Sequence, residues 1–209
     1  MLLTIAYAGT LVAGLLSLES QREPIADPFF ALLELLILLL MPFMVALMAV
    51  VHACAPTTSK TFTLLAVVFV SLLAGVTCSV HFVILNVGRQ AVLSGAAGMP
   101  LLFSFTWPSV AYALDVLAWD VFFALSVLFA ASAFDGSSVA RWTRALLVTT
   151  GVLALAGLGG VVTGDMRWRF IGIAGYVGVF PFAAGLMAVL FHRATASGAD
   201  VASLRPGPP

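Results

Sequence analysis

Two aspartates inside one long apolar stretch are the residues best placed to do chemistry in this sequence. Residues 107–134, WPSVAYALDVLAWDVFFALSVLFAASAF, are long enough to cross a bilayer as a helix, and they contain Asp115 and Asp120. An ionised carboxylate at that depth costs at least about 2.5–3.5 kcal/mol, so acids within a membrane are functional candidates by default. Burial favours the neutral form of a carboxyl group, and a proton donor in an apolar site needs that form.

Two further polar residues lie inside other apolar stretches. Glu34 falls within FFALLELLILLL and His81 within TCSVHFVILNVGRQ. We therefore predict an acid–base set of four residues. Asp120 or Asp115 acts as the general acid, while Glu34 and His81 hold or return the proton.

Each member of this set has a structural interpretation as well. Asp115 could pair with Arg89 or Arg169 and so hold two helices together. Glu34, near an interface, could extend its carboxylate to water. His81 could be a hydrogen-bonded histidine of helix packing. Asp120 is the hardest to explain structurally, because no basic residue is predicted at its level.

Aromatic side chains surround the two aspartates. Tyr112, Asp115 and Trp119 share one helix face at about 100° per residue, whereas Asp120 points about 140° away from Asp115. Aromatic faces carry negative charge density that attracts cations. The predicted substrate-binding residues are Tyr112, Trp119, Phe122, Phe123, Asn86, Arg89, Trp107 and Tyr176, with Phe105 as a further aromatic contact.

Composition restricts the class of protein. The 209 residues are 62% hydrophobic and 9% charged, whereas soluble domains are about 25% charged. Nine basic and nine acidic residues give no net charge, which argues against nucleic acid as a partner. Cys54 and Cys78 form no CxxC or metal-site spacing. We predict a multi-pass protein of the cell membrane, in contact with the lipid bilayer, without metal or cofactor.

Hydropathy predicts an all-α transmembrane helix bundle of one domain with about six spans. The apolar Gly/Pro-containing segment 91–107 is expected to cap the bundle as an interfacial or partly re-entrant connection. The polar tail, 194–209, is expected to be disordered. The spans are about 2–18, 29–54, 61–88, 109–134, 143–163 and 169–192.

The alternating direction of these spans predicts which polar residues share a membrane depth. Six residues fall toward the side opposite the termini, and His81 and Asp120 lie nearer the membrane centre. We therefore expect one polar pocket in one half of the bundle, beneath segment 91–107. The six residues are Glu34, Asn86, Arg89, Asp115, Arg169 and Tyr176.

Motifs of soluble enzymes are missing from the sequence. It contains no GxGxxG, GxSxG, HExxH or P-loop pattern, and no DDxxD-type carboxylate cluster for diphosphate-bound magnesium. Acid–base chemistry in an apolar, aromatic cavity is what the residues favour. Protonating an alkene or epoxide of a polyene requires a neutral acid, aromatic faces for the carbocation and exclusion of water.

The stretch WPSVAYALDVLAWDVFFALSVLFAASAF, followed by a short turn and RWTRALL, resembles small actinobacterial integral membrane proteins. Some proteins of this kind are similar to the membrane-bound terpene cyclases of bacterial indole-sesquiterpenoid pathways. The resemblance implies acid-initiated cyclisation of a linear farnesyl chain in secondary metabolism, with a hydrophobic isoprenoid as the bound molecule. It transfers no catalytic residue to this chain, so the site residues above depend on burial chemistry alone.

Two other functions fit a membrane protein of this composition. A small proton-coupled transporter needs polar residues in both halves of the membrane, but the terminal-side half has only His52 and His192 at its edge. A non-catalytic membrane subunit would use its buried charges to pair with a partner. The sequence leaves homo-oligomer formation open.

Overall fold

Long apolar stretches form the helices of a bundle in the computed structural model, which describes residues 2–18, 25–88 and 98–203. No β-strand occurs in these residues, and the prediction of an all-α bundle is confirmed. Numbered in chain order, the helical elements are α1 (Leu2–Leu16), α2 (Phe29–Cys54), α3 (Thr57–Gly88), α4 (Met99–Phe103), α5 (Val110–Ala133), α6 (Ser138–Thr163) and α7 (Met166–Ala194).

Five of these helices, α2, α3, α5, α6 and α7, are long and apolar enough to cross a membrane, with 24 to 32 residues each. Helix α1 has 15 residues, which is about 22 Å at 1.5 Å per residue and less than the ~30 Å hydrocarbon core. The described chain therefore has five long spans and one shorter apolar helix where the sequence predicted six spans. Large apolar side chains such as Phe43, Val152 and Phe182 point outward, as expected of a surface that faces lipid.

Two helix ends differ clearly from prediction, and a short helix occurs in the predicted capping segment. Helix α6 begins at Ser138, before the predicted residue 143, because the Ser137 hydroxyl accepts a hydrogen bond from the Ala140 amide and caps the helix. The last α-helical segment, Phe180–Ser203, extends into the tail predicted as disordered, where alanines favour helix. Helix α4 lies within the predicted capping segment, 91–107. Residues 91–97 of that segment and residues 204–209 of the tail are outside the described residues.

Helix α5 lies at the centre of the bundle, between α3 and α6. Helix α2 packs against α1 and α3, α3 against α5, and α6 against both α5 and α7. Small residues bring these helices close together: a Cβ atom on Gly151 of α6 would lie 2.5 Å from Cγ of Leu128 in α5. Fully buried Met41, Leu73 and Leu147 fill the remaining space, as close packing requires.

Two of the spanning helices, α5 and α7, contain a π-helical segment away from their ends. Residues Leu117–Phe123 of α5 and Ala174–Val179 of α7 are π-helical. A π turn closes i→i+5 hydrogen bonds and holds one more residue than an α turn, and it often occurs at functional sites. The two segments face each other, since the ring centroids of Trp119 and Tyr176 are 5.0 Å apart.

Candidate functional site

Four buried ionisable residues from four helices form a continuous polar chain. His81 Nδ1 in α3 lies 2.8 Å from Glu34 Oε2 in α2. His81 Nε2 lies 3.5 Å from Asp115 Oδ1 in α5. The Arg169 guanidinium in α7 donates to the other oxygen of Asp115. All four are almost completely buried, so the interior of the bundle contains an ionic network.

The helix register places these residues at one level. Glu34 follows the start of α2 at Phe29 by five positions, and Asp115 follows the start of α5 at Val110 by five. At 1.5 Å per residue both carboxylates lie about 7–8 Å along their helices from the same end of the bundle. Arg169 begins the α-helical part of α7 at that end. Glu34, Asp115 and Arg169 thus lie at a common depth in the structure, as predicted.

Charge balance makes His81 the centre of the network. Arg169 neutralises Asp115, whereas the hydrogen-bond partner of Glu34 is the His81 ring. Buried charges are stable only when they are paired. A protonated His81 between the two carboxylates brings the charge of the four residues to zero, and a neutral His81 with both acids ionised leaves one negative charge. A proton held on the Glu34–His81 pair therefore completes the charge balance.

The network lies along the side of a partly open cavity of about 530 Å³ that is lined mainly by α1, α2, α5 and α7. This volume is in the ~300–1,000 Å³ range of small-molecule sites. On α2 the residues that line the cavity run from Phe30 to Met44, a distance of about 21 Å at 1.5 Å per residue. The cavity is therefore elongated along the helices, with its polar residues near one end and an apolar surface at the other.

Aromatic side chains cover much of this cavity. Trp119 and Tyr176 stack on each other, and the Arg169 guanidinium carbon lies 4.5 Å from the centre of the Tyr112 ring, a cation–π geometry. The His81 and Phe105 ring centroids are 5.0 Å apart. The polar network is thus bordered on several sides by aromatic faces. The principal aromatic lining residues are Tyr7, Phe105, Trp107, Tyr112, Trp119 and Tyr176.

The cavity brings together most of the predicted site residues. Among the predicted acid–base residues, Glu34, His81 and Asp115 line it. The predicted binding residues that line it are Tyr112, Trp119, Trp107 and Tyr176. The structural interpretation of Asp115 is also realised, because Arg169 pairs with it. Glu34 does not extend to water, since its carboxylate is buried against His81.

Asp120 is not part of the cavity lining. It is 0% exposed, and its carboxylate points between α6 and α7, where its oxygens lie 3.0 Å and 2.8 Å from the positions that Cβ atoms on Gly157 and Gly172 would occupy. Of the two aspartates offered as the general acid, Asp115 faces the cavity and Asp120 lies behind it. The predicted divergence of the two side chains explains this separation.

Three other predicted binding residues do not line the cavity, and a fourth lies outside the described residues. Phe122 turns away and packs on Phe69, with ring centroids 6.4 Å apart. Phe123 lies beneath Trp119 at 5.5 Å, because the wider π turn changes which side chains stack along α5. Asn86 donates back to its own helix and is exposed. Arg89 lies outside the described residues.

Sequence reasoning missed two contributors to the site. Arg169 was considered as a partner of Asp115 but not as a binding residue, although its predicted depth was a usable signal. Tyr7 of α1 lines the cavity, and nothing in the local apolar pattern distinguishes it from a residue that faces lipid. Among the described residues no group of three His, Cys, Asp or Glu side chains could hold a metal ion.

A second arginine–aspartate pair lies two residues away from the buried one and faces outward. Gly164 closes the turn after α6 with a φ of 74°, which favours glycine. The Arg167 guanidinium then donates to both oxygens of Asp165 at 2.6–3.0 Å and lowers the pKa of that carboxyl below its usual range. The side chain of Arg167 is 86% exposed and that of Arg169 is 7% exposed. The two pairs therefore offer a matched comparison.

Comparisons with known proteins give no assignment: no protein-family model, curated protein or solved structure matches the chain. The resemblance to membrane terpene cyclases stays a prediction.

Proposed function

We propose that this chain is a membrane-bound terpene cyclase that acts on a linear farnesyl-bearing substrate in secondary-metabolite biosynthesis, independently of metal. Cyclisation would begin by protonation of an alkene or a terminal epoxide. The observation that supports this most is His81, held between Glu34 and Asp115 at the side of an elongated, aromatic cavity. A proton source beside apolar space is what protonation of a polyene requires.

The geometry favours the Glu34–His81 pair as the acid. Asp115 accepts a hydrogen bond from the Arg169 guanidinium, which stabilises its carboxylate form, and its other oxygen lies 3.5 Å from His81 Nε2. The proton leaves the Glu34–His81 pair and forms a C–H or O–H bond with the substrate, and the positive charge moves onto the carbon skeleton. Loss of a proton from the cyclised cation returns it to the protein. The overall reaction is then an isomerisation that consumes no proton.

The aromatic lining has a separate role in this proposal. Trp119, Tyr176 and Tyr112 present ring faces close to the network, and such faces stabilise a cation over them. The apolar residues that continue to Met44 keep water away from the carbocation, which water would otherwise trap as an alcohol. The elongated shape along α2 suits an extended isoprenoid chain.

A proton-coupled transporter is less well supported. Such a carrier needs polar groups spaced across the membrane, whereas the network from Glu34 to Arg169 lies at one level. The hydrogen bond between His52 and Thr63, 2.9 Å long, is near the opposite end of α2 and does not line the cavity.

The proposal is tested in membranes from an expressing host, supplied with a farnesylated indole, its terminal epoxide and farnesol derivatives. Membranes that contain the wild-type protein should form a product with the same mass as the supplied substrate and a different chromatographic retention time. Glu34→Gln and His81→Gln should each lower the rate by about 10²–10⁴-fold, the usual contribution of acid–base catalysis. The control is Asp165→Asn, which removes an exposed carboxylate. Conversion at the wild-type rate by both site variants, or no conversion by well-folded wild-type protein, would refute the proposal.

A further inference from the structure

Asp120 is a buried carboxyl group that the proposed reaction does not use. Neither of its oxygens has a hydrogen-bond partner within the described part of the chain. A charged group in that position is costly. Nevertheless α6 and α7 make room for this carboxyl group with glycines at positions 157 and 172. The packing thus accommodates a carboxyl group where an apolar side chain would be less costly.

Arg169 also has an unused donor. Its Nη2 group donates to Asp115, while its Nε is buried without a hydrogen-bond partner among the described residues. A guanidinium carries five N–H donors in a planar fork and can bind a carboxylate through two of them. The hydrogen bond to Asp115 through Nη2 leaves the Nε donor of Arg169 able to bind a second acid.

Asp120 of α5 packs against α7 one turn beyond Arg169. Gly172 follows Arg169 by three positions, and residues three apart on a helix are neighbours with Cβ atoms about 5–6 Å apart. Asp120 Oδ1 lies 2.8 Å from where the Cβ of Gly172 would be. The Asp120 carboxyl group therefore contacts α7 at the position that neighbours Arg169 along the helix.

We infer that Arg169 has two alternative carboxylate partners, Asp115 on the cavity side and Asp120 behind it. Asp120 is then a positioning residue, because it acts on the cavity through Arg169. The functional part of this inference rests on the proposed cyclase reaction. With Arg169 on Asp115, the Glu34–His81 pair holds the proton for the substrate. With Arg169 on Asp120, the proton that neutralised Asp120 is carried by Asp115, so the number of protons and the net charge of the site do not change. Asp115 can pass this proton to His81, 3.5 Å away, after the Glu34–His81 pair has given its own proton to the substrate. The product cation then returns a proton to Asp115, and this proton goes back to Asp120 when Arg169 pairs with Asp115 again.

The pairing is tested without substrate by a double-mutant cycle on the purified full-length chain in detergent. Thermal unfolding is measured for Asp115→Asn, Asp120→Asn and the double variant. If Arg169 can use either acid, each single variant leaves it one partner, and the double variant lowers the melting temperature by more than the sum of the two single shifts. Additive shifts would overturn the inference. Asp115→Asn combined with Asp165→Asn is the control and should be additive.

A second variant keeps the test decisive if the double variant does not fold. Gly172→Ala places a methyl group 2.8 Å from Asp120 Oδ1, so the carboxylate has to move from its present position beside α7. It should lower the melting temperature further in the Asp115→Asn background than in the wild type. An equal shift in both backgrounds contradicts the pairing.

The role in turnover is measured separately, in the cyclisation assay. Asp120→Asn should lower kcat and leave KM unchanged, because Asp120 does not line the cavity. A kcat equal to that of the wild type, or an effect on KM alone, overturns the positioning role. If the cycle shows coupling but wild-type protein cyclises nothing, the proposed function fails while the two-partner pairing of Arg169 stands.

Discussion

Replacing Arg169 by glutamine removes the guanidinium that neutralises Asp115 in the interior of the bundle. Both partners are buried, with side-chain exposures of 7% and 12%, so the four-residue network is left with one uncompensated negative charge. Breaking a buried pair in this way costs about 3–5 kcal/mol. For a chain of this size, about 2–4 °C per kcal/mol gives a fall in melting temperature of about 6–20 °C.

The measurement is thermal unfolding of the purified protein in detergent, followed by tryptophan fluorescence. Arg167→Gln is the matched control, since it makes the same chemical change two residues away in an exposed pair with Asp165. Exposed ion pairs contribute little to stability, so this control should melt close to the wild type. Equal shifts for Arg169→Gln and Arg167→Gln would refute the conclusion that the buried network stabilises the fold.

Three further predictions concern the packing around the site. Gly151→Ala places a Cβ 2.5 Å from a leucine of α5 and should lower the melting temperature, whereas Gly75→Ala meets nothing within 4 Å and should be neutral or stabilising by up to about 1 kcal/mol. Phe123→Leu removes part of a fully buried ring and should destabilise the protein more than Phe122→Leu, as chemical unfolding would show; the reverse order would contradict the π-helical register. Ser126→Ala removes a buried 2.8 Å hydrogen bond between α5 and α3 and should cost about 0.5–1.5 kcal/mol in the same assay.

The helices were predictable because the bilayer leaves few alternatives. A chain in lipid has to satisfy its backbone hydrogen bonds within each span, so hydropathy alone gives long helices. The predicted span 29–54 coincides with α2. The first predicted span, 2–18, ends as a helix at Leu16, and the start of α6 depends on a serine cap that hydropathy does not register.

The sequence predicted the membrane depth of the site residues, but not the direction in which their side chains point. Alternating spans correctly placed Glu34, Asp115 and Arg169 at one level. The hydrogen bond between Glu34 and His81 depends on which faces of α2 and α3 meet, and the apolar residues around both positions do not encode that. The sequence left the choice between Asp115 and Asp120 open for a similar reason, because only the packing of α6 and α7 shows which carboxylate lies behind the cavity.

The π-helical segment in α5 has a consequence for how this chain can change in length. A π turn holds one residue more than an α turn, so deleting one residue within Leu117–Phe123 would restore a regular α-helix. Because the extra residue is held within one turn, the halves of α5 before and after the deletion keep nearly the same direction relative to each other, so Asp115 still faces the cavity while Val127 and its neighbours keep their packing. Among sequences descended from a common ancestor with this one, a single-residue gap in this segment should therefore be compatible with retention of the ionic network.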